Sequence, residues 1–145
     1  MATQTSVSIR PSVAEQTDHV LLRRVFLADA LFSTVSGLAM VLFSRPIEAF
    51  LGGDQPDVLM VIGIVLVVFA VFNFTAARET PLNRTKAWFI FEFNVLWVMA
   101  SVVAITTNIF DLNTIGNIIT LGVALGVAGI AFIEWIGLRR GKTHQ

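Results

Sequence analysis

Residues 25–44 read VFLADALFSTVSGLAMVLFS, twenty residues carrying a single charge, Asp29. At 1.5 Å per residue, a helix of that length covers about 30 Å, the thickness of a bilayer's hydrocarbon core. Three more stretches have the same character: 58–77, 87–107 and 115–138. Each is continuously apolar rather than alternating, which argues against barrel strands. The connections at 78–86 and 108–114 are short, and short connections make successive helices antiparallel neighbours. The expected fold is therefore all-α, a transmembrane four-helix bundle running up-down-up-down.

Composition agrees with this. Charged residues make up 14% of the 145 and hydrophobic residues 55%, against roughly 25% charged in an ordinary soluble domain. So few charges could not keep that much apolar surface in water. A soluble enzyme, a disordered tail and a basic nucleic-acid binder are excluded. Cysteine is absent, which removes disulfides, thiolate metal sites and cysteine nucleophiles. The two histidines, His19 and His144, lie outside the spans.

Residues 1–17 are rich in Ser, Thr and Gln and read as a mobile polar tail. Residues 18–140 form one transmembrane domain, and 141–145 a second polar tail. Thr17 or Asp18 can cap the first helix. The connection 45–57 is the longest. Pro46 can open a short helix there, with Ile47, Phe50 and Leu51 on one side, Glu48 opposite, and Gly52-Gly53 at its end. Such a helix would lie in the membrane interface; an ordered loop with a few apolar contacts is an equal alternative.

Basic residues divide unevenly. Arg10, Arg23, Arg24, Arg78, Arg84, Lys86, Arg139, Arg140 and Lys142 fall on one side of the bundle, and only Arg45 on the other. The positive-inside rule then puts both termini in the cytoplasm. A multi-pass protein of a bacterial inner membrane is expected.

Four polar side chains lie inside the spans at matched depth. Asp29 is five residues past Arg24, Asn73 five before Arg78, Glu92 six past Lys86, and Glu134 five before Arg139. All fall about 7–9 Å inside the basic boundary. Charged groups in a span turn toward the bundle interior or a watery cavity. The four are a candidate intramembrane polar site. The competing reading is that they join helices by hydrogen bonds, at about 0.6–2 kcal/mol each.

Other patterns read first as packing and second as a crevice. Ser33 and Ser36 share a small face with Asp29, and Asn94 shares one with Trp97 and Ser101. Gly122, Gly126 and Gly129 form a G-x-x-x-G stripe with one more glycine, a helix-packing pattern. Glu92 and Asn94 lie about 200° apart around their helix, so one interface cannot easily take both. No catalytic motif, phosphate loop or Glu-x-x-His pair is present. No cofactor, no metal and no nucleic-acid partner are expected.

Ala28-Asp29-Ala30, Ser36-Gly37, Pro46 with Leu51-Gly52, Asn94 with Trp97, and Gly137-Leu138-Arg139-Arg140 recur in an arrangement spanning residues 21–140. That arrangement resembles an uncharacterised family of small bacterial four-helix integral membrane proteins. The resemblance implies architecture and a bacterial source, and no activity. A slighter likeness is to small multidrug transporters, through four helices and an acid in the first span. The nine-to-one charge bias and the 13-residue first connection depart from those proteins.

Three functions are open from the sequence. The first is a non-enzymatic helix-packing, accessory or scaffold protein, whose partners are the lipid bilayer and another membrane protein or further copies of itself. The second is a small proton- or cation-coupled transporter using the intramembrane carboxylates. The third is a quinone- or lipid-binding protein with a crevice lined by Asn94, Trp97 and Phe residues.

Overall fold

The structure, a computed structural model, describes residues 13–140, with side chains over 20–139. Four helices make up the described chain: α1 (Val13–Leu51), α2 (Pro56–Arg78), α3 (Arg84–Thr107) and α4 (Thr114–Arg140). There is no strand among the described residues. All four are long and apolar enough to cross a membrane, the build of a multi-pass membrane protein. Large apolar side chains face outward on every helix. Leu42, Val68, Leu96 and Leu125 are each at least 65% exposed, which suits a lipid solvent and not water.

α1 begins at Val13, four residues before the expected Thr17 cap. Residues 1–12 and 141–145, with Arg10, Lys142 and most of the expected tails, lie outside the described residues. The helical segment expected after Pro46 is present, but it continues from α1 across a break at Phe43 (φ −124°, ψ 27°). Proline supplies the cause. It has no N–H, and its ring crowds the carbonyl four residues back, at Leu42. The segment ends at Gly52, whose φ of 87° is left-handed and favours glycine as a helix stop.

Hydrogen bonds and close contacts gather the chain into two ends. At the basic end, Arg23 Nη2 donates to the Glu79 carbonyl at 2.6 Å and to Thr80 Oγ1 at 2.8 Å. Lys86 pairs with Glu79, and Arg84 Nη2 donates to the Leu138 carbonyl at 2.8 Å. Below these ties sits a core of Leu22, Phe26, Phe69, Ala76, Ala77, Ala87, Ile90 and Leu138. At the acidic end, Asn113 N–H donates to the Leu51 carbonyl at 2.8 Å. Its Nδ2 donates to the Phe50 carbonyl at 3.0 Å, so the start of α4 holds the end of α1.

α1 and α2 approach closely where two glycines face each other. A Cβ on Gly37 would stand 2.7 Å from the Gly63 carbonyl oxygen, and a Cβ on Gly63 would stand 2.7 Å from that of Gly37. Only two glycines allow the backbones so near. The stripe expected to pack, Gly122, Gly126 and Gly129, does not: a Cβ at any of the three would meet nothing within 4 Å. α4 instead packs through Gly116, against the Leu51 carbonyl, and Gly137, against Leu22. The stripe faces outward because α4 turns Ala124, Val127, Ala131 and Glu134 to the interior.

Candidate functional site: a buried acid–amide cluster and an apolar cleft

Three of the four side chains expected at one depth meet. Asp29 on α1, Asn73 on α2 and Glu134 on α4 are at most 1% exposed. Asn73 Nδ2 donates to Asp29 Oδ2 at 2.6 Å. The fourth member is Asn94 on α3, 2% exposed. Its Nδ2 donates to Asp29 Oδ2 at 3.3 Å and lies 3.3 and 3.2 Å from the two Glu134 carboxyl oxygens. Ser33 Oγ completes the shell at 3.4 Å from Asp29 Oδ1. Each helix thus sends one strongly polar side chain to a common point, where hydrogen bonding is a condition of burial.

Glu92 is not part of this cluster. It lies on the exposed surface of α3. The geometry of one helix decides between it and Asn94: two residues turn the chain about 200°, so seating Asn94 inside turns Glu92 outside. The neutral amide goes inward, where it can serve two acids at once.

No described basic side chain is hydrogen-bonded to the cluster. Among the described residues, every hydrogen bond that Asp29 and Glu134 accept comes from an amide or a hydroxyl. Arg23 and Arg84 are spent on the loop and helix carbonyls described above. Arg78 and Arg139 lie over the rings of Phe74 and Trp135, both at 4.3 Å.

On the acidic-end side of the cluster the bundle opens. α2 and α3 meet through aromatic pairs, Phe69 with Phe93 at 4.1 Å and Phe72 with Phe89 at 5.2 Å. Beyond these they part. A small cavity of about 50 Å³ touches Asp29, Ser33, Ser36, Asn94 and Trp97. It shares Met40, Trp97 and Val123 with a cleft of about 440 Å³ that extends to the acidic end. Leu59, Ile62, Ala100, Ala104 and Ile119 are among the apolar walls of the cleft, and its polar groups include Glu48, Ser101 and Thr120. Ser33, Ser36, Asn94 and Trp97, expected to line a crevice or pack, all border the smaller cavity.

Glu48 reverses its expected orientation. It is 5% exposed while Phe50 is 60% exposed. The Glu48 side chain folds back over the Gly52-Gly53 turn, where Oε1 accepts the Gln55 N–H at 3.2 Å. Gln55 is the N-cap of α2 and its own side chain makes no cap. The carboxylate therefore serves the positive end of α2. Its seven-residue distance from that cap was the available signal. Gly63 also escaped notice, although a lone glycine in a run of Val, Ile and Leu is the usual mark of close helix approach.

No family model, curated protein or solved structure matches the chain.

Proposed function

We propose that the protein is a non-enzymatic, bacterial inner-membrane protein whose cleft holds a lipid-class amphiphile. The observation that carries this is the cleft itself, about 440 Å³ of mostly apolar space bordered by a buried carboxylate. That size and character suit a small-molecule site. A purely helix-packing or scaffold role needs an outer surface and would be served as well by a solid bundle. Between lipid and quinone, the polar groups favour lipid. Ser101 and Thr120 spend their hydroxyls on the carbonyls of Trp97 and Gly116. The remaining polar groups on the wall are the Glu48 carboxylate, which accepts hydrogen bonds, and the Gln55 amide and Trp97 indole, which can donate them. A headgroup bearing hydroxyl or ammonium donors meets the buried carboxylate, whereas a quinone carbonyl would have to turn to Gln55 or Trp97 for a donor.

The topology proposed is antiparallel. Contacts pair rising numbers with falling ones: Asp29 with Asn73 and Glu48 with Gln55 between α1 and α2, Arg84 with Leu138 and Asn94 with Glu134 between α3 and α4. The basic end is placed in the cytoplasm by the positive-inside rule, and the segment after Phe43 lies at the opposite interface. The likeness to small bacterial four-helix proteins accords with this arrangement.

The test is to purify the protein in mild detergent and identify retained lipid by mass spectrometry, beside an Ala104→Trp variant whose indole fills the cleft. One lipid class enriched over the bulk membrane in the wild type and depleted in the variant is the expected result. Equal lipid content in both would overturn the reading, and an enriched quinone would redirect it. Periplasmic activity of a reporter fused after Lys142 would overturn the orientation.

A further inference from the structure

The large cleft is charged at one end only. Of the described residues that line it, Glu48 alone carries a charge. Glu48 is 5% exposed and forms no ion pair among the described residues. Its Oε1 accepts the Gln55 N–H at 3.2 Å, and the carboxylate accepts no other hydrogen bond among the described residues. A carboxylate held from water with so few partners is costly. A second acceptor flanks the same place. Glu48 Oε1 and the Phe110 carbonyl oxygen, the latter at 3.2 Å, are both atoms that a Cβ on Gly53 would meet, and Phe110 also lines the cleft. An ammonium group, with three donors and no acceptor, can serve both oxygens at once.

The surroundings have the same sign. Asp54 and Asp57 are exposed within two residues of Gln55, and the exposed Asp111 follows Phe110. Against these acids the same end of the bundle has Arg45 alone. Such a field draws cations and repels anions. No Lys, Arg or His lines the cleft among the described residues. A phosphate or carboxylate head would therefore stand beside Glu48 without a counter-ion, and like charges brought together out of water are disfavoured.

Away from Glu48 the cleft is a slot for hydrocarbon. α3 lines it from Trp97 to Ala104, seven residues or about 10 Å along the helix. Its volume of about 440 Å³ lies toward the low end of the range of about 300–1,000 Å³ for small-molecule sites, room for one chain and not for a two-chain phospholipid. We infer that the cleft takes a single-chain amphiphile with a cationic amine head, its ammonium group at Glu48 and the Phe110 carbonyl and its chain running toward Trp97. The inference rests on the cleft's being an amphiphile site, and adds the sign of the head and the number of chains.

The experiment uses the full chain in nanodiscs of zwitterionic phosphatidylcholine, with empty nanodiscs as the partition blank. Three radiolabelled probes share one chain and differ in the head: dodecylamine, dodecanol and dodecanoate. Equilibrium dialysis at neutral pH should show saturable binding of one dodecylammonium per chain, tighter than dodecanol by about tenfold or more, with dodecanoate the weakest. Glu48→Gln, whose amide oxygen can still accept the Gln55 N–H, should bring the amine down to the affinity of the alcohol. Should that variant fail to fold, the order of the three heads on the wild type decides. Equal binding of amine and alcohol, with both displaced by Ala104→Trp, overturns the inference and leaves the amphiphile site standing. Tighter binding of dodecanoate than of the amine overturns it in the same way. No saturable binding of any probe overturns both the inference and the reading it rests on.

Discussion

The two halves of the bundle are built differently. Around the basic end, apolar side chains from all four helices close on one another, and arginines tie loops to helices across the top. Toward the acidic end, the same α2 and α3 stand apart around a 440 Å³ cleft, although α1 and α4 stay joined through Asn113. Both halves are built from long apolar runs in the sequence. The difference comes from what the facing residues are. Phe69, Phe72, Phe89 and Phe93 bridge α2 to α3 near the basic end, whereas Ala100, Ser101 and Ala104 on α3 are too short to reach Leu59 and Ile62 across the cleft. The acid–amide cluster sits at the boundary, sealed on one side and open on the other.

The largest expected contrast is between the two halves directly. Phe26→Ala removes a ring that is 0% exposed and should cost about 3–5 kcal/mol. Ile62→Ala only enlarges an existing space and should cost about 1 kcal/mol or less. Thermal unfolding in detergent compares them, and equal losses would break the distinction.

The glycines give the next contrast. Gly63→Ala drives a methyl group into the Gly37 carbonyl oxygen and should cost about 1–3 kcal/mol as α1 and α2 separate. Gly126→Ala meets open space and should be neutral or stabilising by up to about 1 kcal/mol. The reverse order in an unfolding titration would mean that α4, not α2, carries the close approach.

A smaller effect is expected at the acidic end. Glu48→Ala leaves the Gln55 N–H at the start of α2 without its acceptor. A loss of about 0.5–2 kcal/mol, the range for a helix cap, should follow. Faster amide hydrogen exchange over the first turn of α2, with the basic end unchanged, would locate the effect.

The smallest is at Glu92. Glu92→Gln changes an exposed position outside the cluster, so unfolding should shift by no more than about 0.5 kcal/mol. Asn94→Leu, which removes the amide shared by Asp29 and Glu134, should destabilise several times more. Similar effects from the two would return Glu92 to the site.

The sequence determined the helices and the depth of their polar groups. A run of twenty apolar residues has one way to satisfy its backbone in hydrocarbon, and charged flanks mark where each run stops. Matching depths for Asp29, Asn73 and Glu134 followed from counting residues to those flanks, and the 200° separation showed that Glu92 and Asn94 would part. What remained was the rotation of each helix about its axis. In water, a polar face and an apolar face fix that rotation. In a bilayer, lipid and core are equally apolar, so hydropathy cannot say which side of α4 faces inward. Only the tertiary structure could choose Asn94 over Glu92, turn Gly122, Gly126 and Gly129 outward, fold Glu48 onto the start of α2, and leave the space between α2 and α3. Those choices depend on how close two backbones can come and which side chains can span the gap. They are decided pair by pair, by residues far apart in the chain.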